Sequence, residues 1–401
     1  MSEIRVTNVI GENGSSPVNF TQGINMSGIV TATSFVPTVG QLSHRNLIIN
    51  GAMQVAQRGT SSTSSGYHTT DRFRSDIGSI STTFTQSRQN LSSSDTGPWE
   101  KGFRNYKRIA LAGAGSAAAG GYVEATAYRV EAQDLASSGW DYTSSSSYLT
   151  LQFWFRCSTN QTFYTAIRMD DGSARMFSFS FTASGNNTWT KVTKTIPGNS
   201  GITISNDNGI GMSIFIVPYY GTNFTANGTA LDTWNTYNSN AHFPDMASTW
   251  LTAGASTFDI TGVQLEVGSV ATPFEHRSFA DELNRCLRYC YVAGGAGPAT
   301  DNYERFGTGW GYDSTRTRIQ MFHPVPMRTA PTVSIPTIGN LQVSDSSNGY
   351  QCSAYERMGS VNGAMTTGIQ FTHSSGVTAY RPMFVEARNT TAARIILSAE
   401  L

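Results

Sequence analysis

Residues 258 to 290 read FDITGVQLEVGSVATPFEHRSFADELNRCLRYC, passing from strand to bend to helix with no polar linker between them. Phe258, Ile260, Gly262 and Gln264 alternate with Asp259, Thr261, Val263 and Leu265, which is the two-residue period of a strand. Pro273 closes the run. Ser278 is placed to cap a helix whose first turn holds Asp281 and Glu282, both favourable near a positive N-terminal end. Phe279, Leu283, Cys286, Leu287 and Cys290 recur at helical spacing, so this helix has one apolar stripe. The stretch predicts a joint, with one domain ending in its strand and another beginning after its helix.

On the N-terminal side of the joint, from Asn46 to about Pro273, strand-like runs follow one another: YVEATAYRVEAQDL, YLTLQFWFRCS, FYTAIRMD, RMFSFSFTA, WTKVTKTIP and GMSIFIVPYY. Each is bounded by Gly, Asn, Asp, Ser or Pro, and no long helix intervenes, which predicts an all-β sandwich. In YLTLQFWFRCS, Leu149, Leu151, Phe153, Phe155 and Cys157 form the core row, and Tyr148, Thr150, Gln152, Trp154 and Arg156 form the other. Two long stretches, 92–108 with Trp99, Phe103 and Tyr106, and 223–250 with Trp234, Tyr237 and Trp250, lack a period of their own and are expected to be functional or else disordered loops.

Past the helix, VAGGAGPAT predicts a hinge, and TRTRIQMF, PTVSI, NLQVSD, GIQFTH, RPMFVEA and ARIILSAEL predict a second, smaller β-sandwich. The first forty residues hold only short apolar pieces interrupted by Gly23 and Gly28. Copies of the same segment from neighbouring chains are the cheapest cover for Val18, Phe20, Ile24 and Phe35, so a trimeric β-structured stem is expected. The division expected is therefore a stem at 1–40, a sandwich at 41–275, a connector helix at 276–292 and a distal sandwich at 293–401.

Charge balances at 27 basic against 27 acidic residues, so nothing steers the chain toward nucleic acid or an anionic membrane. No apolar run approaches the roughly 18 residues of a membrane span, and no leader pattern opens the sequence, which predicts synthesis and folding in the cytoplasm. Cys157, Cys286, Cys290 and Cys352 lack paired spacing and are expected reduced and buried.

The wording of GVQLEVGSVATPFEHRS (262–278) and ELNRCLRYC (282–290) resembles a segment of bacteriophage tail-fibre and related tail proteins, where it closes a jelly roll like those of carbohydrate-binding modules. NLIINGAMQVAQRG (46–59), DRFR (71–74), LTLQFWFRCS (149–158), NTWTKVTKTIPG (187–198) and ILSAEL (396–401) are similar to the same class, so the resemblance covers most of the chain. It implies a jelly roll at 41–275 and a homotrimeric receptor-binding protein of the virion tail, assembled in the host cytoplasm. Its N-terminus would attach to a tail or baseplate protein, and its ligand would be host surface glycan. Jelly rolls of this kind often hold a structural calcium, and Asn50 and Asp259 stand at the matching places; no other cofactor is implied.

An enzyme is not expected. G-x-S-x-G, the phosphate loop and H-E-x-x-H are missing, and no histidine stands at ligand spacing from another. A tail-associated depolymerase stays open as an alternative, since a pair of catalytic carboxylates leaves no linear signature; so does a purely structural tail component. For sugar, a site pairs an aromatic platform with planar polar side chains. Gln152, Trp154 and Arg156 meet that demand if their face is exposed, with Tyr148 and the loop residues Trp99 and Trp234 beside them. At the distal end Trp310 and Tyr312 in GTGWGYD are a second candidate set, and Tyr350 and Tyr355 a further pair.

Overall fold

A computed structural model describes residues 44–295, 302–345, 347–359 and 362–401. The stem expected at 1–40 and most of the expected hinge lie outside the described residues.

The chain opens with β1 (Ser61–Ser62), β2 (Arg74–Gly78), β3 (Phe84–Asn90), β4 (Asn105–Leu111) and β5 (Tyr122–Glu131), then a short helix α1 (Ala132–Ala136). Next come β6 (Tyr148–Cys157), β7 (Thr162–Met169), β8 (Arg175–Thr182), β9 (Thr190–Pro197), β10 (Ile210–Val217), β11 (Tyr219–Tyr220) and β12 (Trp234–Thr236). A turn of helix, α2 (Thr249–Thr252), precedes β13 (Thr257–Val267). These strands make two facing antiparallel sheets, ordered β1-β3-β4-β13-β6-β9 and β11-β5-β10-β7-β8-β12, with β2 beside β5. The core row of β6 is fully buried, as its alternation predicts, and Phe155 meets Phe181 of the opposite sheet with ring centres 4.7 Å apart.

β13 runs through the middle of the first sheet, between β4 and β6. Its register shifts between Thr261 and Gln264, where Gly262 takes a φ of 63°. This bulge explains the apolar residues on both sides of the strand: it re-aims the side chains, and the outer face of the sheet is itself covered. After it, α3 (Phe279–Leu287) starts at Ser278, whose hydroxyl accepts the Asp281 main-chain N–H at 3.2 Å. Cys286 and Leu287 are buried, and Glu282 accepts the Asn50 main-chain N–H. The stripe thus closes the base of the sandwich within one chain. Phe279, at the start of the stripe, is left 56 % exposed.

The C-terminal part consists of β14 (Cys290–Ala293), β15 (Arg305–Gly311), β16 (Arg316–Phe322), β17 (Thr332–Ser334), β18 (Leu341–Ser344), β19 (Gly349–Arg357), β20 (Thr366–His373), β21 (Pro382–Ala387) and β22 (Ile395–Ser398). β14, β22 and β17 form a small sheet, and the other six close as β15-β16-β20-β19-β18-β21. Closure leaves no unpaired edge among these six strands. Ile319, Val343, Ile369, Phe371 and Val385 fill the interior. All four cysteines are free and buried.

The motifs scattered along the sequence meet at one seam. Arg72 of DRFR is buried against Glu400 of ILSAEL and stacks 3.5 Å from the centre of the Tyr289 ring in ELNRCLRYC. Arg58 reaches Glu400 and Ser398, Arg129 donates to the Leu401 main-chain oxygen, and Arg288 grips Glu131 through two hydrogen bonds of 2.7 and 2.8 Å. Asp71 sits beneath, fully buried; desolvation pushes its carboxyl up to about 6 despite Arg58 and the Gln57 amide.

Candidate functional site

The outer row of β6 does not form the exposed platform its sequence suggests. Residues 92–104 fold back over it, held by Asp95, whose carboxylate accepts the Ser92 N–H at 2.8 Å, the Trp189 indole N–H at 3.1 Å and Arg156 at 2.6 Å. Burial opposes its charge, yet these hydrogen bonds hold the Asp95 carboxyl below the usual range. Arg156 is enclosed: it also bonds Asp259 and lies 4.6 Å from the Trp189 ring centre. Its guanidinium is thus shared between two carboxylates.

Asp259 is in turn gripped by Arg108 through bonds of 2.8 and 2.9 Å, so both its oxygens are committed to guanidinium groups. The Asn50 side chain is spent on main-chain groups of Val55 and Asp71. The structure places these two residues in separate networks. A calcium ion needs six or more oxygens, and among the described residues no group of three or more His, Cys, Asp or Glu side chains is arranged for a metal.

The remaining members of the first candidate set separate. Gln152 is buried, donating to the Thr272 carbonyl at 2.7 Å. Trp154 is half-buried, and Gly97 at a φ of 94° is what lets the covering loop approach it, since a Cβ there would lie 2.7 Å from its ring. Trp99 packs on the same outer cluster, with the Arg104 guanidinium 3.8 Å from its ring centre. Tyr148 stands at the far end of β6, opposite Pro197. Trp234 belongs to the rim of the other sheet, its indole N–H donating to the Pro197 carbonyl at 2.7 Å and its ring against Phe177. What the covered face leaves open is a cleft of about 390 Å³ bounded by Trp154, Phe103, Phe274 and His276, with Lys101 and Lys191 at its border.

The second candidate set is presented to solvent. Trp310 and Tyr312, two residues apart on β15 and its extension, lie on the same outer face and are 44 % and 38 % exposed. Trp310 is in register with Arg318 on one side and Pro382 on the other. The Arg318 guanidinium lies 3.7 Å from the Tyr312 ring centre and that of Arg316 lies 4.8 Å from it. Each arginine is itself fixed: Arg316 bonds Asp313 at 2.7 Å, and Arg318 donates to Gln370 at 3.1 Å, whose amide donates to Glu356 at 2.6 Å. The Asp313 carboxyl is held down to about 2, first by the Arg316 bond and then by the Thr315 N–H. Tyr380, 83 % exposed, adjoins this face through its N–H bond to the Gly311 carbonyl. Tyr350 and Tyr355 are instead tied to main-chain groups of Gly376 and Ile335 and pack on the barrel core.

The arginines, Gln370, Glu356 and Tyr380 were not singled out from the sequence. TRTRIQMF did carry the signal, since Arg316 and Arg318 alternate outward with Thr317 and Ile319 inward. An exposed aromatic pair beside two locked guanidinium planes offers stacking surface and fixed donors together, at little cost in ordering.

No family model matches the chain, and no curated protein does. Similar solved structures include a carbohydrate-binding module described as "CBM4 structure and function", with 10% identity over 54% of this chain and 97% of that one at a TM-score of 0.28. Another is the enzymatically active domain of tailspike protein 4 of bacteriophage CBA120, with 12% identity over 55% of this chain and 21% of that one at 0.29. A third is the tripod of the bacteriophage Tuc2009 baseplate, with 10% identity over 72% of this chain and 85% of that one at 0.25.

Proposed function

We propose that the chain is a non-enzymatic, homotrimeric adhesive component of a bacteriophage tail that attaches the virion to bacterial surface polysaccharide. In this reading residues 1–40 join it to the tail or baseplate, and the outer face of the C-terminal barrel meets the sugar. The sequence resemblance supports the setting. The observation that carries the ligand class is the exposed Trp310 and Tyr312 pair set among Arg316 and Arg318, because flat C–H faces of a sugar stack on aromatic rings while its hydroxyls take bidentate donors. A single such platform binds weakly, and three linked copies gain avidity with no new contact.

Binding of the purified full-length protein to host cells and to extracted surface polysaccharide tests this. Wild-type protein binds, and a Trp310→Ala/Tyr312→Ala variant of unchanged melting temperature does not; equal binding by both would move the sugar site elsewhere. Release of new reducing ends from the polysaccharide would point to a depolymerase instead, and a compact monomer in solution would remove the trimer.

A further inference from the structure

The cleft beside Trp154 has a lining and charges that differ from those of the barrel face. The Trp154 ring lines it together with a cluster of three rings, in which Phe103, itself buried, meets Phe274 edge-on at 4.8 Å and His276 lies 5.0 and 4.9 Å from the two. His276 is fixed by a hydrogen bond of 2.8 Å between its Nε2 and the Lys101 carbonyl. Gly262 makes the cluster possible, since a Cβ at that position would lie 2.7 Å from Phe103. At about 390 Å³ the cleft falls within the range of small-ligand sites, roughly 300–1,000 Å³.

Two ammonium groups, those of Lys101 and Lys191, border this aromatic slot. Burial holds the Lys191 ammonium below its usual range, with the charge of Lys101 adding to it against the pull of Glu266. Neither lysine is in an ion pair with a described residue. Glu266, the carboxylate nearest in effect, is 1 % exposed and already accepts from Gln264 at 3.0 Å and the Thr272 N–H at 2.9 Å. Two lysines lining an aromatic cleft, with the one carboxylate that acts on Lys191 already engaged in hydrogen bonds, are arranged for an anion carried on a flat apolar body.

We infer that this cleft is a second ligand site, taking an anionic sugar unit of the uronic acid class, with its ring against Trp154 and Phe274 and its carboxylate on Lys101 and Lys191. The choice of a sugar as the body rests on the function proposed above; the anionic character rests on the two lysines alone. The site lies on the sandwich, apart from Trp310 and Tyr312 on the barrel.

The test is calorimetric titration of the full-length protein with oligosaccharides of glucuronic, galacturonic and mannuronic acid, and with carboxyl-reduced neutral counterparts of the same length. Saturable binding of at least one acidic series is expected, weakened tenfold or more by carboxyl reduction and by Lys101→Gln/Lys191→Gln, and falling as salt rises. Both lysines border open solvent, so the double variant should melt with wild type; Trp154→Ala serves as the aromatic control, and its melting is checked first. Trp310→Ala/Tyr312→Ala should leave this titration unchanged. Failure of all three acidic series to bind, equal affinity for the neutral counterparts, or unchanged binding by the lysine variant each overturns the inference. If the titrations fail while cell binding still depends on Trp310 and Tyr312, the cleft is excluded and the barrel platform stands.

Discussion

Arg72 and Glu400, 328 positions apart in the chain, meet as a buried ion pair, with the Arg72 guanidinium also lying on the Tyr289 ring. A cation this deeply enclosed is stabilising only while its partners are in place.

Breaking that pair from one side should therefore be severe. Arg72→Met or Glu400→Gln is expected to cost about 3–5 kcal/mol in urea denaturation, while Arg72→Met with Glu400→Leu recovers much of the loss because no unpaired charge remains. Calorimetry of either single variant should show two transitions where wild type shows one, as the sandwich and barrel part company.

At the barrel face the expectation is the reverse, binding without stability. Trp310→Ala should weaken polysaccharide binding about tenfold, equivalent to about 1.4 kcal/mol, and shift the melting temperature little, because the ring is 44 % exposed. Arg318→Lys should weaken it as well, since an ammonium cannot reproduce the guanidinium plane over Tyr312. Both are read from binding isotherms on immobilised polysaccharide.

Two desolvated groups, Lys107 buried and Glu124 half-buried, give opposite pH signatures. Lys107 is enclosed, with the Phe73 carbonyl and the Gln86 amide oxygen as its hydrogen-bond partners among the described residues, and desolvation lowers its ammonium to about 7 against the pull of Asp76. The unfolded chain then binds the extra proton between about pH 7 and 10.5, so the stability of wild type relative to Lys107→Met should rise across that window. Glu124 is raised to about 7 by desolvation, despite the hydrogen bond from the Tyr220 hydroxyl. Here the folded state holds the proton, so the stability of wild type relative to Glu124→Gln should fall as pH rises from about 4.5 to 7. Denaturation of the three proteins from pH 4 to 10.5 reads both; a flat difference curve for either variant would place that group elsewhere.

Gly262 should tolerate nothing larger. Its φ of 63° strains any L residue, and an added Cβ meets Phe103 at 2.7 Å. Gly262→Ala is expected to cost about 1–3 kcal/mol, and to perturb the cleft wall, seen as reduced affinity in the uronate titrations.

Local pattern made the fold class, the core row of β6 and the Ser278 cap legible, because each depends on residues a few positions apart. Trp310 and Tyr312 were expected as turn-borne aromatics beside glycine, and the strand β15 that places them on one face was not among the predicted runs. The β6 outer row was not legible, because its exposure is decided by Asp95, which lies 61 residues before Arg156 and pins the covering loop to it. Likewise Asp259 looks like a free carboxylate until Arg108 and Arg156, 151 and 103 positions away, are seen to saturate it. The wording of DRFR and ILSAEL gave no physical hint that the two would touch, since a salt bridge across the whole chain leaves no periodicity behind.

The seam at residues 398–401 also has a mechanical meaning. Arg58, Arg72, Arg129 and Arg328 fasten this last strand and the residues after it from several directions, Arg328 also reaching back to the Asn208 carbonyl. A pull on the barrel is passed on as shear through a row of stiff, charge-assisted links instead of being taken up by a swivel. If the aromatic face binds as proposed, it would keep its heading, and docking would forfeit little rotational freedom that a loosely tethered tip would have to surrender.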